Sequence, residues 1–445
     1  MSAFKAYDIR GVFGRDFDGE TVYRIGRYLP ALMGADRVLV GRDCRESTPE
    51  VFQRLVDGLT DAGADVVSAG LATTPMVYYL TASQGFAASV QITASHNPGE
   101  YNGLKISGAG ALPVGYADGL GRLEEMVRRD PGPPGERPGG VTELQGAKED
   151  YIEFLRGFRE ETSGLSLGID CSNGMASILA RDVFGEGPIY IFDTMDGRFP
   201  NHEPNPLVEE NVADLKALVI DRELDMGVIF DGDADRVMFV DDRGRFVRPD
   251  IITGVLGLHF LSRESGVVLH DIRTSRSVID FIRALGGAPF MWKVGHSFAK
   301  RKMRELGAVY GGELAGHYYF REFFNCDSGM LAAIHVLNIT AGLLRKGERL
   351  SDIVDSIAPL ANSGEINFRI EDKKGAMDRL MKRFTSEEEP EAVYDFDGYR
   401  VEFPDWWFNV RPSNTEPYLR LVVEAADPDM LAEKLVVIRG ILNGN

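Results

Sequence analysis

Short apolar, β-branched runs alternate along this chain with segments whose apolar residues return every three or four positions, and polar, glycine-rich loops separate the two. The runs predict buried strands, and the periodic segments predict helices that cover them. Arg37-Val-Leu-Val-Gly-Arg-Asp43 predicts a strand ending in a charged loop. Ser47-Thr-Pro-Glu50 then matches a capping box, with Phe52, Leu55, Val56, Leu59 and Ala62 following at helical spacing. Ala64–Gly70 and Phe86–Thr93 predict two further strands.

Pro131-Gly-Pro-Pro-Gly-Glu-Arg-Pro-Gly-Gly140 suits neither a helix nor a central strand, so a first domain of 1–140 is expected. A second unit, 141–246, predicts helix Lys148–Phe158, strand Leu165–Asp170, a helix around Val212–Val219 and strands Met226–Phe230 and Val237–Val240. A third, 247–361, predicts strands Val267–Asp271 and Pro289–Trp292, helices from Ser277 and near His296, and a long helix at Met330–Leu344. The remainder, 362–445, has extended stretches around Glu365–Ile370 and Tyr399–Phe403, then a final helix with Asp427 as cap and Pro428 at its first position. The expectation is three α/β units and a smaller α+β tail.

The composition, 44% hydrophobic and 26% charged, is that of a globular protein. A formal net charge of −19 argues against general affinity for nucleic acid or anionic membrane, while leaving room for a local basic pocket. Cys44, Cys171 and Cys326 lie far apart, which suggests a reducing compartment without a disulfide framework. The start of the chain has no apolar core of a signal peptide, and no apolar run approaches the ~20 residues of a membrane helix. A cytoplasmic protein, a monomer or weak homodimer, is expected.

Four loops concentrate chemistry. After Phe86–Thr93 comes Ala94-Ser-His-Asn-Pro98, whose Asn-Pro step biases the chain out of helix and delivers Ser95 to an exposed elbow; Lys105 returns on the next extended segment. A serine beside an imidazole and a cation is one way to build a nucleophile, though a plain polar turn has the same letters. Asp231, Asp233 and Asp235 alternate directly after an apolar strand and offer carboxylate oxygens to a hard cation. An EF-hand is rejected, because its sixth and twelfth positions would be Arg236 and Asp242. Three carboxylates suit Mg²⁺ with a position open to a phosphate oxygen, which Arg236 can hold as a fork. Arg411-Pro-Ser-Asn-Thr-Glu-Pro417 with Arg420 has the parts of a phosphate cradle: guanidiniums, the Ser413 and Thr415 hydroxyls, and the Asn414 amide. Gly311-Gly-Glu-Leu-Ala-Gly-His317 places Glu313 and His317 where they suit sugar hydroxyls or proton transfer, or form a satisfied loop. His296 has the same two readings, with Ser297 a candidate cap. Arg10 and Arg42, taken alone, read as salt-bridge partners.

Together, YDIRG at the N-terminus, TASHNP, DGDADR, GELAGH and RPSNTEP, in this order, resemble the α-D-phosphohexomutase family, most closely its bacterial phosphomannomutase/phosphoglucomutase branch. The resemblance spans essentially the whole chain. It implies four domains in a heart-shaped arrangement around a cleft, three of mixed-sheet α/β sandwich fold and a fourth like a TATA-binding-protein sheet. It implies a phosphoserine at Ser95, with Asp231, Asp233 and Asp235 holding Mg²⁺ beside it. Arg10, His96, Lys105, Arg236 and His296 match residues around the transferring phosphate, with Lys105 and His317 as acid/base candidates. GELAGH resembles a sugar-binding loop, and Arg411, Ser413, Asn414, Thr415 and Arg420 fall where the family grips the other phosphate. Leu314 and Ala315 replace the Met and Ser usual in this branch, which removes one hydroxyl donor, and Arg273 stands where lysine is common.

The expected reaction is reversible phosphoryl transfer between C1 and C6 of mannose or glucose phosphates through a hexose 1,6-bisphosphate. Positioning and electrostatics dominate such chemistry. Lys105 is expected to have a pKa lowered by neighbouring cations, and the C-terminal domain is expected to close over substrate. A phosphoglucosamine mutase is the second reading, since its usual GEQSGH and Ser-Gly-Thr loops are missing. A Mg²⁺-dependent sugar phosphatase and a non-catalytic sugar-phosphate sensor are the further alternatives.

Overall fold

The structure is a computed structural model that describes residues 3–135, 137–413 and 417–442. The apolar runs form four sheets, each with helices against it. The first holds β1 (Ile9–Val12), β2 (Arg37–Arg42), β3 (Asp65–Leu71), β4 (Ala88–Ile92), β5 (Tyr101–Gly108), β6 (Leu112–Pro113) and β7 (Val141–Glu143). Its order is β1-β5-β4-β2-β3-β7, with β6 alongside β5. β2 runs parallel to β3 and β4, whereas β4 and β5 are antiparallel, which sets Lys105 opposite Gln91.

The second sheet holds β8 (Leu167–Asp170), β9 (Ile189–Ile191), β10 (Met226–Phe230), β11 (Val237–Asp241) and β12 (Phe246–Val247), in the order β12-β11-β10-β8-β9. The third holds β13 (Val267–Asp271), β14 (Ala288–Trp292), β15 (Tyr310–Gly312), β16 (Tyr318–Phe320) and β17 (Cys326–Asp327), in the order β14-β13-β15-β16-β17. The fourth comprises β18 (Ala361–Asn362), β19 (Ile366–Phe368), β20 (Ala392–Tyr394), β21 (Tyr399–Glu402), β22 (Trp406–Pro412) and β23 (Leu419–Ala425); the central β22 and β23 pair antiparallel.

Strand pairing crosses each of the three boundaries expected from the sequence by one to three residues. Val141–Glu143 joins the first sheet by pairing with β3, so that sheet runs past residue 140. Val247 pairs with β11 and stays in the second sheet, and Ala361 pairs with β23 in the fourth. The Ser47–Glu50 capping box does not form: Ser47 makes no side-chain cap to the helix Thr48–Asp61, and its hydroxyl instead accepts from Asn102 at 2.9 Å. Ser297 is likewise no cap, because Gly295 occupies that position. Asp427 does cap the final helix, accepting from the Met430 N–H at 2.9 Å.

The apolar interior is divided unequally. One continuous core runs from Leu39 and Met76 of the first unit through Ile169 and Phe230 of the second to Val268 and Met330 of the third. Around Phe384, Trp406, Leu421 and Ile438, the fourth unit has a core of its own. It meets the rest through the stacked rings of Trp292 and Phe396 and through polar groups: Arg400 Nη1 donates to the carbonyls of Ile272 (2.8 Å) and Thr274 (2.6 Å), and Arg276 to those of Phe403 (2.7 Å) and Pro404 (2.9 Å). Among the described residues no helix is long and apolar enough to cross a membrane.

Candidate active site

β4 ends at Ile92, and the chain turns at Ala94–Pro98 before β5. Ser95 takes the left-handed backbone conformation, φ 51°, which an L-residue adopts only when its surroundings enforce it. Its N–H donates to Thr93 Oγ1 at 2.9 Å. The exposed elbow expected from the sequence is not what forms: Ser95 is 3% exposed, because the loop after β10 from the second unit packs on top of it. Gly232 makes that approach possible, since a Cβ there would lie 2.4 Å from the Ser95 carbonyl oxygen. Ser95 Oγ donates to Asp231 Oδ2 at 2.8 Å, and His96 Nδ1 lies 3.3 Å from the same hydroxyl.

Asp231, Asp233 and Asp235 are buried, and each offers a carboxylate oxygen within 4.8 Å of the others. Burial, then the charges of Asp233 and Asp235, raise the pKa of Asp231. Asp233 Oδ1 and Asp235 Oδ1 have no hydrogen-bond partner among the described residues. Buried, unpartnered oxygens facing like charges are a costly arrangement without a cation, and an all-oxygen donor set suits a hard divalent ion. The residues present fit such an ion.

Lys105 reaches from β5 into this loop, 2.7 Å from Asp233 Oδ2 and 2.5 Å from Asp235 Oδ2. Burial would lower its pKa, but the two carboxylates outweigh that and raise it. The expectation of a lysine depressed by neighbouring cations is therefore corrected: its nearest charges are anions. Arg236 Nε donates to Asp231 Oδ2 at 3.0 Å, while its buried Nη2 has no partner among the described residues. Arg10 pairs with Asp8 and donates to Asn97 Oδ1 at 2.9 Å, which brings YDIRG to the serine loop. Arg42 stays outside, stacked 4.4 Å from the Phe52 ring.

The third unit closes the site from the other side. The backbone of Arg236 bridges that of His317, and the Val237 N–H donates to the Gly316 carbonyl at 3.3 Å. His317 Nδ1 lies 2.6 Å from Asp327 Oδ2 and 3.9 Å from Asp235 Oδ1. Burial would lower its pKa, but Asp235 and Asp327 outweigh that and raise it. His296 and His96 go the other way: burial, then Lys300 for the first and Arg236 for the second, hold both neutral. Glu313 accepts from Tyr319 Oη at 2.7 Å and from the Gly295 N–H at 3.2 Å, and burial raises its pKa.

Arg273, Arg411 and Arg420 gather where the third and fourth units meet. Arg273 is tied to Asp271 (2.7 Å) and to Glu365 (2.8 Å), whose other oxygen takes Arg420 at 2.9 Å. Arg411 Nε donates to Asp397 Oδ1 at 3.2 Å, and Asp397 Oδ2 accepts from the Val294 N–H at 2.8 Å, two residues before His296. The Ser413 N–H donates to the Tyr418 carbonyl at 2.9 Å. Asn414 and Thr415 lie outside the described residues.

Several contributors were missed in the sequence. Asp327 binds both His317 and Lys300 Nζ (2.6 Å), and Lys300 also lies 3.6 Å from the centre of the Tyr78 ring. Asp235, His317 and Asp327 form a second group able to ligate a metal, with one nitrogen donor where the aspartate loop has only oxygens. Thr74 hydrogen-bonds Asp233, and Glu365 and Asp397 link the arginines. Asp327 lies inside the short strand β17 and Thr74 at the start of a helix, so neither follows an apolar run in the way that Asp231 does.

Comparison with known proteins gives the class, a sugar-phosphate mutase. The profiles of Phosphoglucomutase/phosphomannomutase alpha/beta/alpha domains I, II and III match residues 1–127, 149–244 and 248–360, and that of the C-terminal domain matches 365–438. The chain belongs to the phosphoglucomutase/phosphomannomutase family and is an isomerase of the mutase type. It is 36% identical over 457 residues to the phosphomannomutase of Escherichia coli strain K12, across 100% of this chain and 99% of that protein. It is 32% identical to the phosphomannomutase of Methanocaldococcus jannaschii, across 99% of this chain and 98% of that one. A crystal structure of a phosphoglucomutase/phosphomannomutase family protein from Burkholderia thailandensis superposes with a TM-score of 0.87 at 31% identity, covering 99% of this chain and 97% of that one.

Proposed function

We propose that this mutase interconverts the 1- and 6-phosphates of mannose, and of glucose, through a phosphorylated Ser95 and a hexose 1,6-bisphosphate that also serves as activator. The observation that carries the reading is Ser95 Oγ, buried in a left-handed turn 2.8 Å from Asp231 in the three-aspartate loop. The relatives named phosphomannomutase support the choice of sugar.

Starting from the 6-phosphate, the sugar C1 hydroxyl attacks the phosphorus carried on Ser95. Its O–P bond forms as the Oγ–P bond breaks; the hydroxyl loses a proton and Oγ gains one. His317, backed by Asp327, and Lys105 are positioned to pass that proton. The bisphosphate then turns over, and Ser95 Oγ loses its proton and attacks the C6 phosphorus; the O6–P bond breaks, O6 takes up a proton, and the 1-phosphate leaves with the phosphoserine regenerated. Asp231, Asp233, Asp235 and Ser95 would hold Mg²⁺, which when bound supplies positive charge beside the transferring group. Arg236, whose Nη2 has no partner among the described residues, and Arg10 are suited to the phosphoryl oxygens, beside His96 and His296. Glu313 and His317 are suited to sugar hydroxyls. Arg273, Arg411, Ser413, Asn414, Thr415 and Arg420 would grip the phosphate that does not react.

Incubation with mannose 1-phosphate labelled in its phosphoryl group tests this. Label is expected on the peptide that contains Ser95 and then in mannose 6-phosphate. Isomerisation with no label on that peptide overturns the reading, and release of inorganic phosphate in excess of isomerisation points to a phosphatase.

A further inference from the structure

Arg45 lies in the loop between β2 and the helix Thr48–Asp61, its side chain fully buried. Its Nε donates to Asp43 Oδ2 at 3.0 Å. Nη2 donates to the carbonyls of Ser95 (2.8 Å) and Asn97 (2.7 Å), and Nη1 to those of Pro98 (2.5 Å) and Tyr101 (3.0 Å). The five N–H donors of a guanidinium are thus all used, four of them on the backbone of one turn. Asp43 fixes this arrangement from behind: its N–H donates to the Ile92 carbonyl (2.9 Å), and its Oδ1 accepts from Thr48 Oγ1 (2.7 Å). On the other side the Phe199 ring of the second unit stacks 5.0 Å from the guanidinium. A Cβ on Gly197 would come within 2.5 Å of the Arg45 Cα, so this strap is pressed directly on the residue.

We propose that Arg45 is the positioning residue for the phosphate-carrying serine, fixing the Ala94–Tyr101 turn by collecting its carbonyls on one buried guanidinium. The inference rests on the reading of Ser95 as the phosphate carrier. In a trans peptide the carbonyl and the following N–H point in opposite directions. Drawing the Ser95 carbonyl to Arg45 therefore leaves the His96 N–H on the far side of the turn. It also holds Ser95 in the left-handed conformation its own side chain disfavours. The planar fork matters: lysine keeps the charge but has three donors at one point and cannot span the turn. Because Phe199 and Gly197 press on the same residue, Arg45 also registers the serine turn against the unit that supplies Asp231.

The test compares Arg45→Lys and Arg45→Ala with Ser95→Ala and with Leu59→Ala, a core substitution in the same unit remote from the turn. Arg45→Lys is expected to fold and keep KM for mannose 1-phosphate within about threefold, while kcat falls on the order of a hundredfold, the effect of misplacing a reacting group by about an ångström. Phosphate lost to water per exchange is expected to rise. Methylguanidinium is expected to restore part of the rate of Arg45→Ala. Leu59→Ala should lower the melting temperature without lowering kcat per folded molecule. Wild-type kcat in Arg45→Lys, or a loss matching only its unfolded fraction, overturns the inference, as does failure of both Arg45 variants to fold, which would make the residue structural. Full activity in Ser95→Ala instead overturns the phosphate-carrier reading beneath it.

Discussion

The two ends of the cleft are built on different principles. Ser95, Lys105 and the three aspartates sit in a body whose first three units share one apolar core, beside a second core inside the first unit that holds β4 and β5. Their side chains are buried, and the backbone around them is held by close approach, as at Gly232. The arginines of the fourth unit belong to a domain with a separate core, attached by arginine–carbonyl bonds, by Glu365 on Arg273 and by Asp397 on the Val294 N–H. Glu365 holds Arg273 and Arg420 much as a phosphate would, with two oxygens and two guanidiniums. The reacting end is thus preorganised by packing, where displacement costs core contacts. The gripping end is joined by hydrogen bonds, a stacked ring pair and the Arg273–Glu365 ion pair, the last of which a substrate phosphate would be able to replace on the proposed reading. The proposed route, in which a bisphosphate turns over between two transfers, would call for both a fixed centre and a detachable grip.

Ser95→Ala should separate the two ends most sharply. Isomerisation is expected to fall at least about a thousandfold, while calorimetric affinity for mannose 1-phosphate stays within a few-fold because the grip is intact. A parallel loss of affinity would show that the ends are not independent. Asp233→Asn comes next: it removes one metal-ligating charge and one partner of Lys105, and a loss of roughly a hundredfold or more is expected. Chelation of the wild type should match it and be reversed by Mg²⁺; activity indifferent to chelator would remove the metal from the reading. Arg420→Ala probes the other end, and KM should rise about ten- to a hundredfold with kcat changed far less, the signature of a lost charge-assisted bond. A fall confined to kcat would place Arg420 in the reacting centre instead.

The smallest effect concerns the seam itself. His270 on β13 is buried, and burial, against a hydrogen bond to the Asp271 carbonyl, lowers its pKa to about 4 beside Arg400. Its folded pKa therefore lies below the unfolded value near 6.5. The stability it contributes is complete above that value and is lost as pH falls towards about 4, because unfolding takes up a proton. The slope cannot exceed about 1.4 kcal/mol per pH unit. Thermal melts of His270→Gln between pH 4 and 7 should be flatter than wild type by that slope; identical profiles would remove His270 as the cause.

Much of this was legible along the chain. Apolar runs marked the strands that deliver Ser95 and the aspartates, since a buried strand must be apolar and its polar residues collect at its end. Spacing could not show Ser95 under Asp231, because that burial depends on two units docking. It misjudged Lys105 for the same reason: neighbouring charge is a property of space, and the nearest groups are aspartates about 130 positions away. Arg45 was invisible because its partners are carbonyls, which every residue has. The amino-acid order by itself determined the four units and the loops that carry polar chemistry, because local periodicity fixes which residues seek burial. The tertiary structure alone decided which loops meet, which carboxylate pairs with which cation, and that a core runs through three units while the fourth docks by hydrogen bonds, an ion pair and stacked rings.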